Sequence, residues 1–139
     1  MNNKVDEIIR DVQGLSHDRR VEFCQTALGR LIDELSVNDR SAISAFVLHL
    51  IRVAVSADRK CGQAEYDLFC DIFGPTSPEE FFEQTNGGAS EEYIRALDQE
   101  IDHFTDDAKF AACAVVLSFL TADGEVTREE AKLMHRLFE

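Results

Sequence analysis

Ala122 to Phe138 reads ADGEVTREEAKLMHRLF and joins the end of an apolar run to the start of an amphipathic segment. Thr127 suits a helix N-cap, and Glu130 follows three residues later, the spacing of a capping box. Glu130, Met134 and Leu137 fall at i, i+4 and i+7. The carboxylate therefore shares the inward side of the helix with two apolar side chains. A weaker copy lies 65 residues earlier, at Ala57 to Phe73, ADRKCGQAEYDLFCDIF. Asp58 aligns with Asp123, Glu65 with Glu130, Phe69 with Met134, Ile72 with Leu137 and Phe73 with Phe138. A long apolar run precedes each Ala-Asp. The repetition predicts two related helical pairs, each with an Asp at its turn and a Glu about one helical turn later.

Working outward, the remaining segments also read as helices. Val5, Ile8, Ile9, Val12 and Leu15 form a first stripe. Ser16 caps a second helix whose apolar face is Phe23, Ala27, Leu28, Leu31, Ile32 and Leu35. Gly29 inside it suggests a close helix crossing. Asn38 is placed to cap a third helix running to about Ala57. Its content of Ala, Val, Leu and Ile predicts burial on nearly every side, with His49 a core or interhelical histidine. Gly74-Pro75 ends the helix Gln63–Phe73. Ser77-Pro78 opens a short helix through Phe81 and Phe82, and Asn86-Gly87-Gly88 breaks it. Ser90 caps a helix carrying Tyr93, Ile94, Leu97 and Ile101. Thr105 opens the most apolar segment of the chain, Phe110 to Ala122, where Ala111, Ala112 and Ala114 would permit close approach of a neighbour. The third helix and this one are expected to pack together at the centre. The prediction is an all-α fold, a compact bundle of seven or eight helices in one domain spanning 1–139, with repeat halves at about 16–73 and 90–138.

The chain has 139 residues, 27 acidic and 14 basic, for a net charge of −13. Such a surface repels nucleic acid phosphates and anionic membranes and suits divalent cations or a basic partner. The longest apolar run, Ala42 to Ala57, is broken by His49 and Arg52, so no membrane insertion is expected. MNNKVDEIIRD carries no apolar h-region and predicts no secretory signal. Cys24, Cys61, Cys70 and Cys113 are scattered, with no C-x-x-C, which fits neither a zinc site nor a disulfide framework and points to a reducing cytoplasm. Gly87-Gly88 lacks the pattern of a phosphate loop. His17, His49, His103 and His135 show no H-E-x-x-H or H-x-x-x-H spacing, and no cysteine has a nucleophile motif around it. The expectation is a protein that is not an enzyme. A carboxylate-based enzyme would need a deep apolar cleft beside the paired acids.

The A-D-G-x-V-[ST]-x-x-E pattern at Ala122, Asp123, Gly124, Val126, Thr127 and Glu130 resembles that of the TerB-like family of tellurite-resistance-associated proteins. The degenerate first copy, with Asp58, Cys61 and Glu65, is similar to it. The resemblance covers most of the chain from about Ser16 to Phe138. It implies an all-helical, internally duplicated fold and a stress-response role in multiprotein assemblies near membranes. It also implies a divalent-metal site, here at Asp58, Glu65, Asp123 and Glu130. Arg59 and Lys60 depart from the pattern, standing where the second copy has Gly124 and Glu125. Cations beside Asp58 would neutralise it and weaken a metal site there.

The spacing also overlaps the back half of an EF-hand loop, but the first two ligand positions would be Phe119 and Thr121 in one copy and Ala54 and Ser56 in the other. Neither copy is a competent loop. Any cation would have to be shared between the copies. Oxygen ligands alone suit Ca²⁺, Mg²⁺ or Mn²⁺. The functional expectation is a stress-response-associated binding or scaffold domain with Asp58, Glu65, Asp123 and Glu130 converging on one cation site. Two alternatives stand beside it. In one, the four acids only cap helices and shape turns. In the other, the chain is a metal-independent interaction module or homodimer with Phe81, Phe82 and Tyr93 as an exposed patch, unless those aromatics complete the core. The protein partner is not identified by the sequence.

Overall fold

Burial of an unbroken run of side chains marks the centre of the fold. In a computed structural model that describes residues 4–36, 39–56, 61–123 and 126–139, every residue from Ala111 to Thr121 is buried. They belong to a helix, Asp106–Leu120, and its cap. Eight helices occur among the described residues, and no strand. They are α1 (Lys4–Gln13), α2 (His17–Leu35), α3 (Arg40–Val55), α4 (Gln63–Phe73), α5 (Pro78–Thr85), α6 (Glu91–Asp102), α7 (Asp106–Leu120) and α8 (Arg128–Phe138). None of the described helices is long and apolar enough to cross a membrane.

The N-termini form as the sequence predicts. Ser16, Ser77, Ser90, Thr105 and Thr127 each accept a hydrogen bond from the backbone N–H three residues on, satisfying donors that the first helical turn leaves without partners. The third helix is different. Asp39 is its N-cap and accepts from the Ser41 N–H at 2.9 Å, while Asn38 lies outside the described residues. An acidic side chain at a helix N-terminus also gains from the helix dipole.

α7 packs on α3 as expected, though its most extensive partner is α2. Ala111 and Ala114 help explain this, because small side chains facing α2 let it approach α7 closely. Two further expectations need correction. α3 is not buried all round. Ile43, Val47, Leu50 and Ile51 face the core, whereas Ala42, Ala45 and His49 form an exposed stripe. Hydropathy alone could not reveal that stripe, since alanine reads as apolar on either side of a helix. Gly29 is exposed, and a Cβ added there would meet nothing within 4 Å, so it marks no helix crossing.

The middle aromatics complete the core. Phe81 is fully buried, with ring centroids 5.2 Å from Phe69 and 5.5 Å from Tyr66, and Phe69 in turn lies 6.2 Å from Phe119. This cluster ties α4, α5 and α7 together. Offset ring pairs at these separations contribute about 0.5–1.5 kcal/mol each beyond area burial.

Between α1 and α8, His135 is hydrogen-bonded to the Glu139 and Asp6 carboxylates, the latter at 3.0 Å, and Glu139 accepts from the Val5 N–H at 3.3 Å. The latch closes α1 against α8. Burial alone would lower the His135 pKa, but the hydrogen bonds to Glu139 and Asp6 outweigh it and hold the value above the ordinary 6.5. A raised folded-state pKa stabilises the fold fully below about 6.5, and the contribution is lost as pH rises through the higher folded value. Thermal melts between pH 5.5 and 9 should therefore show a stability component falling across that window, absent from His135→Gln. Superimposable pH profiles for the two proteins would remove the latch.

Candidate functional site

The two acid-bearing corners are built alike. In the second, Glu130 Oε1 accepts from the Thr127 N–H at 2.9 Å while Thr127 Oγ1 accepts from the Glu130 N–H at 3.1 Å, a complete capping box. In the first, Glu65 Oε1 accepts from the Gly62 N–H at 2.7 Å. Glycine has no side chain to return the bond, so only half of the box forms. Both carboxylates are buried, 1% exposed at Glu65 and 0% at Glu130. A buried carboxylate is costly unless N–H donors meet it, and each of these reaches back to its own N-cap for one. Burial follows from the spacing, because Glu130, Met134 and Leu137 share one face and are all buried, as are Glu65, Phe69 and Ile72.

Of the two turn acids, Asp58 lies outside the described residues, together with Arg59, Lys60, Gly124 and Glu125. Asp123 is exposed, two residues past the C-cap of α7. Among the described residues, no group of three or more His, Cys, Asp or Glu side chains is gathered closely enough to hold a metal ion. Phe119 and Thr121, at the first two positions of the EF-hand comparison, are both fully buried.

One neighbour of the second corner was not foreseen from the sequence. Arg20 is buried beneath the second corner. Its Nη1 donates to the Val12 carbonyl at 3.0 Å and to Thr121 Oγ1, and its Nη2 donates to the Leu15 carbonyl at 3.0 Å. Thr121 Oγ1 passes its own proton to the Leu117 carbonyl at 2.8 Å. The C-terminal ends of α1 and α7 thus converge on one guanidinium. Each helix end carries about half a negative charge, which explains why a cation is tolerated there. Desolvation lowers the Arg20 pKa, and the nearby Asp123 charge opposes that shift. The signal was present in the sequence: Arg20 lies on the same helical face as Cys24, Leu28 and Leu31, the buried face of α2.

The cysteines Cys24 and Cys113 sit in the core, where burial pushes the Cys24 thiol up to about 12 and raises Cys113 as well. Both stay protonated at neutral pH and are poor nucleophiles. Cys61 is buried, its N–H donating to Asn86 Oδ1 at 2.7 Å and its carbonyl accepting from Asn86 Nδ2 at 3.3 Å. Asn86 thereby fastens the end of the first corner to the end of α5. His49 is exposed rather than in the core, and it bridges helices through a hydrogen bond to Tyr93 OH.

Neither protein-family models, curated proteins nor solved structures give a match to this chain. The likeness to the TerB-like family therefore rests on the residues quoted for it, Asp58, Cys61 and Glu65 with Ala122, Asp123, Gly124, Val126, Thr127 and Glu130.

Proposed function

We propose that the chain is a non-enzymatic binding or scaffold domain made of two four-helix halves, α1–α4 and α5–α8. The observation that carries the duplication is the pattern of helix neighbours. α1 rests on α7 and α8 as α5 rests on α3 and α4. α2 lies on α7 and α4 as α6 lies on α3 and α8, and α4 meets α7 as α8 meets α3. Exchanging the halves leaves these neighbours in place. Adding 65 to the bounds of α4 gives 128 and 138, the bounds of α8. The clefts agree as well. Phe23, Thr26, Ala27 and Arg30 line one with Phe110, Ala111 and Ala114. Tyr93, Ala96, Leu97 and Glu100 line another with Ala45, Phe46 and His49, at identical spacing. The halves are longer than the segments 16–73 and 90–138 that the sequence suggested. The buried glutamates favour the binding reading over catalysis, because each has an oxygen committed to capping its own helix. The stress-response association is carried by the family resemblance alone.

A second reading adds a divalent cation, Ca²⁺, Mg²⁺ or Mn²⁺, held by turn and capping acids from among Asp58, Glu65, Asp123 and Glu130. Its support is the recurrence of a glutamate at matched positions of the two corners, Glu65 and Glu130, together with the family resemblance. Calorimetric titration of metal-stripped protein with each cation, beside an Asp123→Asn, Glu130→Gln double variant, tests it. Heat and thermal stabilisation that disappear in the variant are expected. Silence at millimolar cation would leave the metal-independent scaffold.

A further inference from the structure

One of the differences between the two halves opens a groove. On α7, Ala111 and Ala114 let α2 settle closely. The α3 residues 65 positions earlier are Phe46 and His49. These larger side chains prop α6 away from α3, and α6 touches α3 far less than α2 touches α7. The space left is about 400 Å³, and an adjoining cleft of about 300 Å³ shares Ala42, Phe46 and Glu100 with it and continues to Phe104.

The walls are held in place. Phe46 packs against Phe104 with centroids 5.8 Å apart, and Leu97 is buried at the base of α6. His49 is tied to Tyr93 OH. The Arg52 guanidinium lies 5.1 Å from the Tyr93 ring centroid, and Arg52 Nε donates to the Gly88 carbonyl at 2.6 Å. Arg52 is thus engaged at the far wall. Along the lips stand Ala42, Ala45 and Ala96, all exposed and small enough for another backbone to come close. From Ala42 to His49 the groove follows two turns of α3, about 10 Å. Among the described residues lining it, Glu100 alone carries a fixed charge, and it is exposed. Glu34, Asp39 and Glu92, next to the lining residues Leu35 and Tyr93 or at the start of α3, are exposed too, and outnumber the exposed cation Arg95 beside Ala96.

We propose that this groove binds an amphipathic helix of a partner protein that carries basic residues beside its apolar stripe. The small-lipped apolar trough between two helices is the shape that such a helix fills through i, i+3, i+4 and i+7 side chains. The acidic rim and the net charge of −13 select a basic occupant over an acidic one. The proposal rests on the binding-domain reading but not on the cation site.

The probe is a labelled 15-residue Leu/Lys peptide with leucines at helical spacing, followed by fluorescence anisotropy in chelator, with a Leu/Glu peptide of the same pattern alongside. Micromolar binding of the Lys peptide is expected, with none of the Glu peptide. Ala45→Trp, which fills the groove at an exposed position, should weaken it at least tenfold while leaving the melting temperature unchanged. Glu100→Lys should weaken it as much, and Glu79→Lys on α5, with the same charge change, less than twofold. Equal losses for the two charge variants, an unaffected Ala45→Trp, or no binding of the Lys peptide would overturn the proposal. So would a dimer in sedimentation that Ala45→Trp makes monomeric, since a second copy would then hold the groove. Cation heats measured on the same samples keep failure of the groove separate from failure of the cation reading.

Discussion

Replacing Arg20 with alanine is expected to lower the unfolding free energy by about 3 kcal/mol, measured by urea denaturation. The substitution removes one buried guanidinium but strands three acceptors, the carbonyls of Val12 and Leu15 and the Thr121 hydroxyl oxygen. Each buried acceptor left without a donor costs about 1–3 kcal/mol, and partial entry of water at the surface-facing Leu15 moderates the sum. Arg20→Lys should recover little, because one ammonium on a flexible stem cannot span acceptors that a planar fork reaches together. The damage should be local at first. Hydrogen exchange should quicken at the ends of α1 and α7 before it does in α4 or α5. A loss under 0.5 kcal/mol for Arg20→Ala would show that the helix ends do not depend on the cation.

How much of this was legible in the sequence depends on the kind of signal. Caps were legible because they are local: a Ser or Thr followed by a helical stripe specifies its own hydrogen bond, as at Ser16, Ser90 and Thr127. Inward glutamates were legible because helical periodicity places a residue on a face without knowledge of what it faces. What lay across that face was not. Arg20 needs two helix C-termini from distant parts of the chain, 101 residues apart at Thr121, before its burial makes sense. The exposed stripe of α3 was hidden for a related reason. Ala42 and Ala45 read as apolar, yet whether they meet α6 depends on Phe46 and His49 holding that helix away. Under the duplication proposed above, the pairs α3–α4 and α7–α8 match at an offset of 65, whereas α2 and α6 match at 70 and share few residue types. That offset puts Ser90 where Arg20 stands, so Arg20 has no counterpart on α6.

Glu130→Ala and Glu65→Ala should each cost about 3 kcal/mol, and the two losses should be similar. Each change removes the acceptor for an N-cap N–H, at 2.9 Å from Thr127 and 2.7 Å from Gly62, and leaves that donor stranded. Loss of the cap, with its donor stranded, accounts for about 2 kcal/mol, and deletion of the one buried methylene for about 0.8 kcal/mol. Glutamine keeps an acceptor of the same shape, so Glu130→Gln and Glu65→Gln should lose only about 1 kcal/mol, typical of exchanging a charge-assisted for a neutral hydrogen bond. Asp123→Asn, at an exposed position, should stay within about 0.5 kcal/mol. Denaturation in chelator and again in 5 mM Mg²⁺ or Ca²⁺ separates the two roles of these acids. A capping glutamate gives the same loss in both, because its partner is the backbone. A ligand glutamate gives a larger loss with the cation, because wild type alone gains the binding free energy, about 2.7 kcal/mol at a hundredfold excess over Kd. An Ala variant at either position that unfolds at the wild-type urea midpoint in both buffers would mean that neither corner is held by its carboxylate.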